Sequence, residues 1–304
     1  MTMMRRGAKS VGIALWLTLG PIPWPFAAGP DPVLVPEALA QGPAREAQYY
    51  CPMHPDQQSA TPTTCPICSM RMVPMPPARF DTYPVDLRVT PTTSGARMRL
   101  AVQDPRRHTI VRRFALVHER PMHLFIVGDD LAFFAHEHPE AQPDGVFMID
   151  VALPKPGPYM AIAEFLPEGG TPQTFQQLFT TGEAFRPAVA PAVDVAPKTA
   201  DGVRVSIDAS QVKAGDSRPL VIHIDDPATG RPTTDLQPYL GAAAHLLLVP
   251  ADLTEAIHGH PDQQFVEPGV TFTPLVPRPG RYKLWVQFQR GGRLSTVSFV
   301  IDVL

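Results

Sequence analysis

Apolar and polar positions alternate with a period of two over most of the chain. Tyr282, Leu284, Val286 and Phe288 interleave with Lys283, Trp285, Gln287 and Gln289, which predicts a strand buried on one face. Val297, Phe299, Ile301 and Val303 repeat the pattern in what reads as the last strand. Arg97-Met-Arg-Leu-Ala-Val102 and Val203-Arg-Val-Ser-Ile207 read as the opening strands of two successive units, punctuated downstream by Pro-Gly turns. Beyond the N-terminal leader no helical period is sustained. The 38 prolines also argue against a helical protein, because each removes a backbone donor and clashes with the preceding turn.

The strand pattern is duplicated. Residues 122–140 align without gaps on 244–262, and eight positions are identical: His123/His245, Leu124/Leu246, Val127/Val249, Asp130/Asp252, Leu131/Leu253, His136/His258, His138/His260 and Pro139/Pro261. Pro156-Gly-Pro-Tyr159 recurs as Pro279-Gly-Arg-Tyr282. Unit one is placed at 81–183 and unit two at 190–304, with the proline-rich stretch from Phe185 to Val193 read as the linker. About a hundred residues with six or seven short strands fit a β-sandwich of immunoglobulin-like or cupredoxin-like kind. The predicted fold class is mainly β, two tandem sandwiches behind a small metal-stapled segment.

That segment, 49–76, holds every cysteine of the chain, Cys51, Cys65 and Cys68, with His54, Met53, Met70, Met72 and Met75. Segments this short need a metal or disulfides to fold, and three thiols leave one over from any disulfide. Cys65-x-x-Cys68 brings two sulfurs to one ion, and Cys51 with His54 supplies two more donors. Thiolate and thioether favour Cu(I) or Ag(I), whereas thiolate with imidazole also serves zinc, so the donor set admits both. A structural zinc ribbon and a Cys65–Cys68 redox pair are the alternatives.

Tyr49, Cys51, Pro52, Met53, His54 and Pro55, then Cys65, Pro66, Cys68, Met70 and Met72, resemble the heavy-metal-binding domain found at the front of some efflux adaptors and copper-exporting P-type ATPases. Ser69 stands where that pattern has glycine and Met72 where it has leucine. The resemblance implies a heavy-metal ligand without choosing it. Arg120-Pro-Met-His-Leu124, Asp130-Leu131, His136-Glu-His-Pro139 and Pro156-Gly-Pro-Tyr159 are similar to motifs of periplasmic all-β proteins that accompany this domain in copper-resistance gene sets.

Six of the ten histidines form the repeated trio, His123, His136 and His138, then His245, His258 and His260. Residues i and i+2 of an extended chain point the same way, so each His-x-His pair can face one ion with the strand histidine closing the site. Imidazole suits Cu(II), zinc and nickel. The same rings could equally hold β-corners together through backbone hydrogen bonds, and the sequence admits both readings. His118 and His223 are expected to end the strand before each trio and to join it, with Glu119 as a further donor in unit one, and Met122 either a donor or, by its alternation with Leu124 and Ile126, a core residue.

Arg5, Arg6 and Lys9 precede the apolar run Val11–Leu19, which is too short to span a bilayer and reads as an export signal. Ala38-Leu39-Ala40 is the expected cleavage site, making 1–40 a signal peptide and the mature chain periplasmic, without a membrane segment. A formal net charge of −3 gives no footprint for nucleic acid. No Gly-x-Ser-x-Gly or His-Glu-x-x-His context marks an enzyme. The expected function is heavy-metal binding, Cu(I) or Ag(I) capture or hand-over in metal resistance. Its partners are the metal ion and a metal efflux pump or copper-exporting ATPase. The runners-up are an accessory component of an efflux system and a metal-free interaction module that uses Trp285 and free strand edges.

Overall fold

The computed structural model describes residues 49–51, 57–67, 70–74, 81–182, 190–261 and 269–304. The proposed signal peptide, and the stretch from Phe185 to Val189 of the proposed linker, lie outside them. The described elements are all strands, as the alternation predicts. In the front segment β1 (Tyr49–Tyr50) pairs with both β2 (Gln58–Ser59) and β3 (Val73–Pro74) in a small antiparallel sheet. Unit one contributes β4 (Val85–Thr92), β5 (Gly95–Val102), β6 (Met122–Gly128), β7 (Phe134–Glu137), β8 (Glu140–Ala141), β9 (Phe147–Ala152), β10 (Pro158–Phe165) and β11 (Gln173–Thr180). Unit two contributes β12 (Lys198–Ala200), β13 (Val203–Asp208), β14 (Leu220–Asp225), β15 (Leu236–Gln237), β16 (Ala244–Pro250), β17 (Ile257–Gly259), β18 (Val270–Phe272), β19 (Gly280–Arg290) and β20 (Arg293–Val303).

Two corrections concern the strands that open the units. Each is preceded by another, β4 before β5 and β12 before β13. Pro91 hid β4 from the sequence, but β4 is an edge strand, where a missing donor costs little. Unit one stacks a sheet of order β4-β5-β9-β8 on one of order β11-β10-β6-β7. That is the immunoglobulin-like arrangement, with sheets A-B-E-D and G-F-C and one added edge strand. Unit two repeats the second sheet as β20-β19-β16-β17 and the β4-β5-β9 core of the first as β13-β14-β18, with β12 added at its edge. The repeated Pro-Gly-x-Tyr motif has a structural role in both units. Tyr159 and Tyr282 enter β10 and β19 and donate their hydroxyls to the carbonyls of Lys155 and Arg278, at 2.6 and 3.0 Å. This is the tyrosine corner of such sandwiches.

Each unit has its own core. Met98, Leu100, Met122, Leu124, Ile126, Phe147 and Tyr159 fill the first, and Val205, Ile222, Leu246, Leu248, Phe272, Leu284 and Phe299 the second. The strands β6 and β16 are buried at every position, on both faces. Their second faces meet one another. Phe125, Val127, Met160 and Ile162 of unit one pack on Leu247, Val249 and Trp285 of unit two. Trp285 stacks on Phe134 with ring centroids 5.1 Å apart and planes 14° apart. The expectation of an exposed Trp285 on a half-buried strand is therefore corrected: it is 4% exposed because the first sandwich covers that face.

Candidate metal centres

Cys51 leaves β1 and donates its amide to Gln57 O at 3.0 Å, while Cys65 sits in a tight turn with its amide on Met70 O at 2.7 Å. Such turns let sulfurs converge on one point. Cys51, Cys65, Met70 and Met72 are all buried and pack in one cluster with Tyr49 and Val117. The remaining expected ligands of this segment, Met53, His54 and Cys68, lie outside the described residues, as do Ser69 and Met75. The segment is seated on unit one. Tyr50 and Val73 pack on Leu166, with Ala115 and Val117 beside them.

Alternation along β6 places His123 with Phe125 and Val127 on the face between the sandwiches and turns Met122 into the core. Met122 is therefore a core residue and not a donor, and Glu119 is exposed. β16 repeats the arrangement with His245. His136 lies opposite Phe125 on β7 and His258 opposite Leu247 on β17. His138 and His260 follow two residues on. In each trio the candidate ligand atoms all lie within 4.8 Å of one another.

The outer nitrogens are held by backbone. His123 Nε2 is 2.9 Å from Val117 O, and His245 Nε2 is 2.8 Å from Tyr239 O. Both carbonyls belong to turns whose next two residues have positive φ, His118 and Glu119 at 47° and 64°, Leu240 and Gly241 at 49° and 74°. The repeat thus extends through Val117-His-Glu-Arg120 and Tyr239-Leu-Gly-Ala242, which share no residue. Because a carbonyl only accepts, Nε2 carries the proton and Nδ1 carries the lone pair. That lone pair faces the partner ring: His123 Nδ1 is 3.0 Å from His136 Nε2, and His245 Nδ1 is 3.4 Å from His258 Nε2.

The second histidines are braced from the opposite sandwich. Gln287, in unit two, places Oε1 2.7 Å from His136 Nδ1, and Glu164, in unit one, places Oε2 2.6 Å from His258 Nδ1. Gln287 Nε2 lies 3.1 Å from Thr296 Oγ1, which holds the amide in place beside His136. Glu164 and Gln287 are equivalents, each the cross-strand partner of its own unit's strand histidine. Sequence reasoning missed both. Their one signal is position, five residues past the repeated tyrosine of Pro-Gly-x-Tyr.

The two trios form one cluster with His118, whose ring stacks on His260 at 3.5 Å between centroids. His123 and His258 rings lie 5.9 Å apart, and those of His136 and His245 5.6 Å. The pairing of His118 with His223 is corrected. His118 lies in the turn, where unit two has Leu240, and His223 belongs to β14, in the other sheet. Burial, helped by the charge of neighbouring rings, lowers His123 to about 4, His118 and His138 to about 3 and His136 to about 2. His245 and His260 are lowered well below the usual imidazole range for the same reasons. Burial alone would raise the Glu164 carboxyl, but the charge and hydrogen bond of His258 outweigh it, and the carboxyl is lowered.

A family model for a heavy metal binding domain matches residues 48–75, and a domain of unknown function, DUF8832, matches 198–304. The chain therefore carries a heavy metal binding domain ahead of its sandwiches. No curated protein matches. Among solved structures, a two fibronectin type-III domain segment of chicken tenascin is 14% identical, covering 73% of this chain and 99% of that one, with a TM-score of 0.20. The FN1–FN3 domains of chicken CNTN1 are 11% identical, covering 77% of this chain and 72% of that one, also at 0.20. Scores of this size carry no argument about site or function.

Proposed function

We propose that the chain is an exported, periplasmic protein that captures Cu(I) or Ag(I) in its cysteine segment and hands it on as part of heavy-metal resistance. The observation that carries the reading is the burial of Cys51 and Cys65 together with the thioethers of Met70 and Met72. Thioether is a poor ligand for zinc and a good one for Cu(I), so this sulfur cluster favours the soft monovalent ions. Cys68 and His54 would complete the first set of ligands, and Met53 would take part in exchange. An ion so held moves between proteins by stepwise ligand exchange, and a metal efflux pump or copper-exporting ATPase is the recipient this chemistry fits. The leader supports export. Seating of the segment on Leu166 and Val117 favours a competing structural role, a ribbon stapled by zinc.

An anaerobic competition titration of the full chain with Cu(I) and with Zn(II) separates the two. Tight Cu(I) binding, abolished by Cys51→Ser, Cys65→Ser and Cys68→Ser together, is the expected result. Preference for zinc over Cu(I), or Cu(I) affinity unchanged in the triple variant, would sink the proposal.

A further inference from the structure

We infer that the face between the sandwiches is a two-ion site for a borderline divalent cation of the Cu(II) or Zn(II) class. His123 Nδ1, His136 Nε2 and His138 would take one ion, and His245 Nδ1, His258 Nε2 and His260 the other. The inference uses none of the residues of the sulfur segment and stands or falls apart from the reading above.

The second trio carries the argument. Tyr239 O and the Glu164 carboxylate only accept, so they draw the protons of neutral His245 and His258 to their outer nitrogens, and both inner nitrogens hold lone pairs. These lone pairs face each other at 3.4 Å, in a contact that is not a hydrogen bond between neutral rings, and His123 Nδ1 and His136 Nε2 repeat the approach at 3.0 Å. A cation between them resolves the conflict. Tetrahedral ligands at about 2.0–2.1 Å from a metal lie about 3.3 Å from each other, close to the 3.0 and 3.4 Å between the first two ligand nitrogens of the trios, whose third nitrogens lie within 4.8 Å.

Three further features fit the same occupant. His138 Nε2 and both ring nitrogens of His260 are buried without a hydrogen-bond partner, an arrangement that is costly unless something binds there. Outer hydrogen bonds to Gln287 and Glu164 orient His136 and His258 as the second layer around a metal does. Since each brace crosses from the other unit, neither site is complete in one sandwich. A cavity of about 170 Å³, lined among others by His118, His123, Glu164, His258 and His260, gives an ion a way in and room for an added ligand.

The brace also orders the two sites. Glu164 is anionic and Gln287 neutral, so the second trio offers the higher basicity and fills first.

The test uses the full chain with all three cysteines changed to serine, titrated with Co(II) and with Cu(II) alone. Two equivalents are expected, with nitrogen hyperfine structure in the Cu(II) resonance spectrum and quenching of Trp285. His136→Ala should remove one equivalent. Glu164→Gln, nearly isosteric and so safe for folding, should weaken one of the two sites by about 10–100-fold and leave the other. One equivalent or none, or two that neither variant changes, overturns the inference.

Discussion

Val117 and His123 are joined by a hydrogen bond from the imidazole Nε2 to the valine carbonyl, 2.9 Å long, and the side chain of that same valine packs against the sulfur cluster. One residue therefore serves both candidate centres, its backbone orienting a nitrogen ligand and its isopropyl group covering Cys51, Cys65, Met70 and Met72. The sequence left open whether the front segment docks on the sandwiches. It does, and at the residue that sets the tautomer of a histidine.

The two roles of Val117 separate under Val117→Ala. The carbonyl stays, so the His123 tautomer and the stoichiometry of Co(II) binding should not change. The lost methyls should loosen the segment by about 1 kcal/mol. Amide hydrogen exchange should quicken over 57–67 and 70–74 and stay constant in β6 and β10. Uniform exchange across both regions would show that Val117 does not hold the segment.

Gln287→Glu should give the first trio the brace that the second already has. The affinity of that site should rise by about 10-fold, and the two stepwise constants should converge. The metal-free protein should lose stability, since a second carboxylate would be buried without a charge partner. Competition titration of Cu(II) and thermal melts with and without metal read both effects. A lower affinity at the first site would mean that Gln287 serves packing alone.

Trp285 is the one tryptophan beyond residue 40, so its emission reports the joint between the sandwiches. Stacked on Phe134 and almost wholly buried, it should emit in the blue. Trp285→Ala should cost about 3–5 kcal/mol in denaturant unfolding, in the range of other buried aromatic truncations. A loss under about 1 kcal/mol would mean that the sandwiches do not rely on this contact.

What could be read from the sequence, and what could not, divides along the same joint. The strands and the duplication were legible because a period of two and an offset of 122 are local facts. The cysteine motif was legible because its donors are contiguous. The joint was not. Trp285 and Gln287 sit at positions that alternation assigns to solvent, and only the partner sandwich buries them. A signal existed in the uninterrupted apolar runs Leu124–Val127 and Leu246–Val249, which mark strands covered on both faces. Glu164 and Gln287 stayed hidden for a different reason. Their role depends on strand register and on a contact from the other unit, and their chemistry differs between the copies. His118 was paired with His223 because both precede a trio; the backbone shows that Leu240 is its true equivalent.

Acid should act on the metal-free cluster in a definite window. Unfolded histidines titrate near 6.5, whereas folded His123 titrates near 4 and His136 near 2. The unfolded chain therefore binds more protons than the folded one below about pH 6.5, and stability falls as pH falls. The contribution of the neutral rings is fully present above 6.5 and is lost progressively down to about 4 for His123, and further for His136. Glu164 has its own window. Its carboxyl is lowered in the fold, so its contribution is lost only as pH drops below the usual carboxylate value. Between pH 6.5 and 5 the slope belongs to the histidines. Thermal melts of the metal-free chain should show a falling midpoint across that range, flatter in His136→Gln, which removes one titrating ring. Bound metal should hold the midpoint level until protons displace it, because ligand nitrogens must lose their protons to bind. A metal-free midpoint constant from pH 7.5 to 5 would mean that these rings already share protons in the fold, and would remove the case for facing lone pairs.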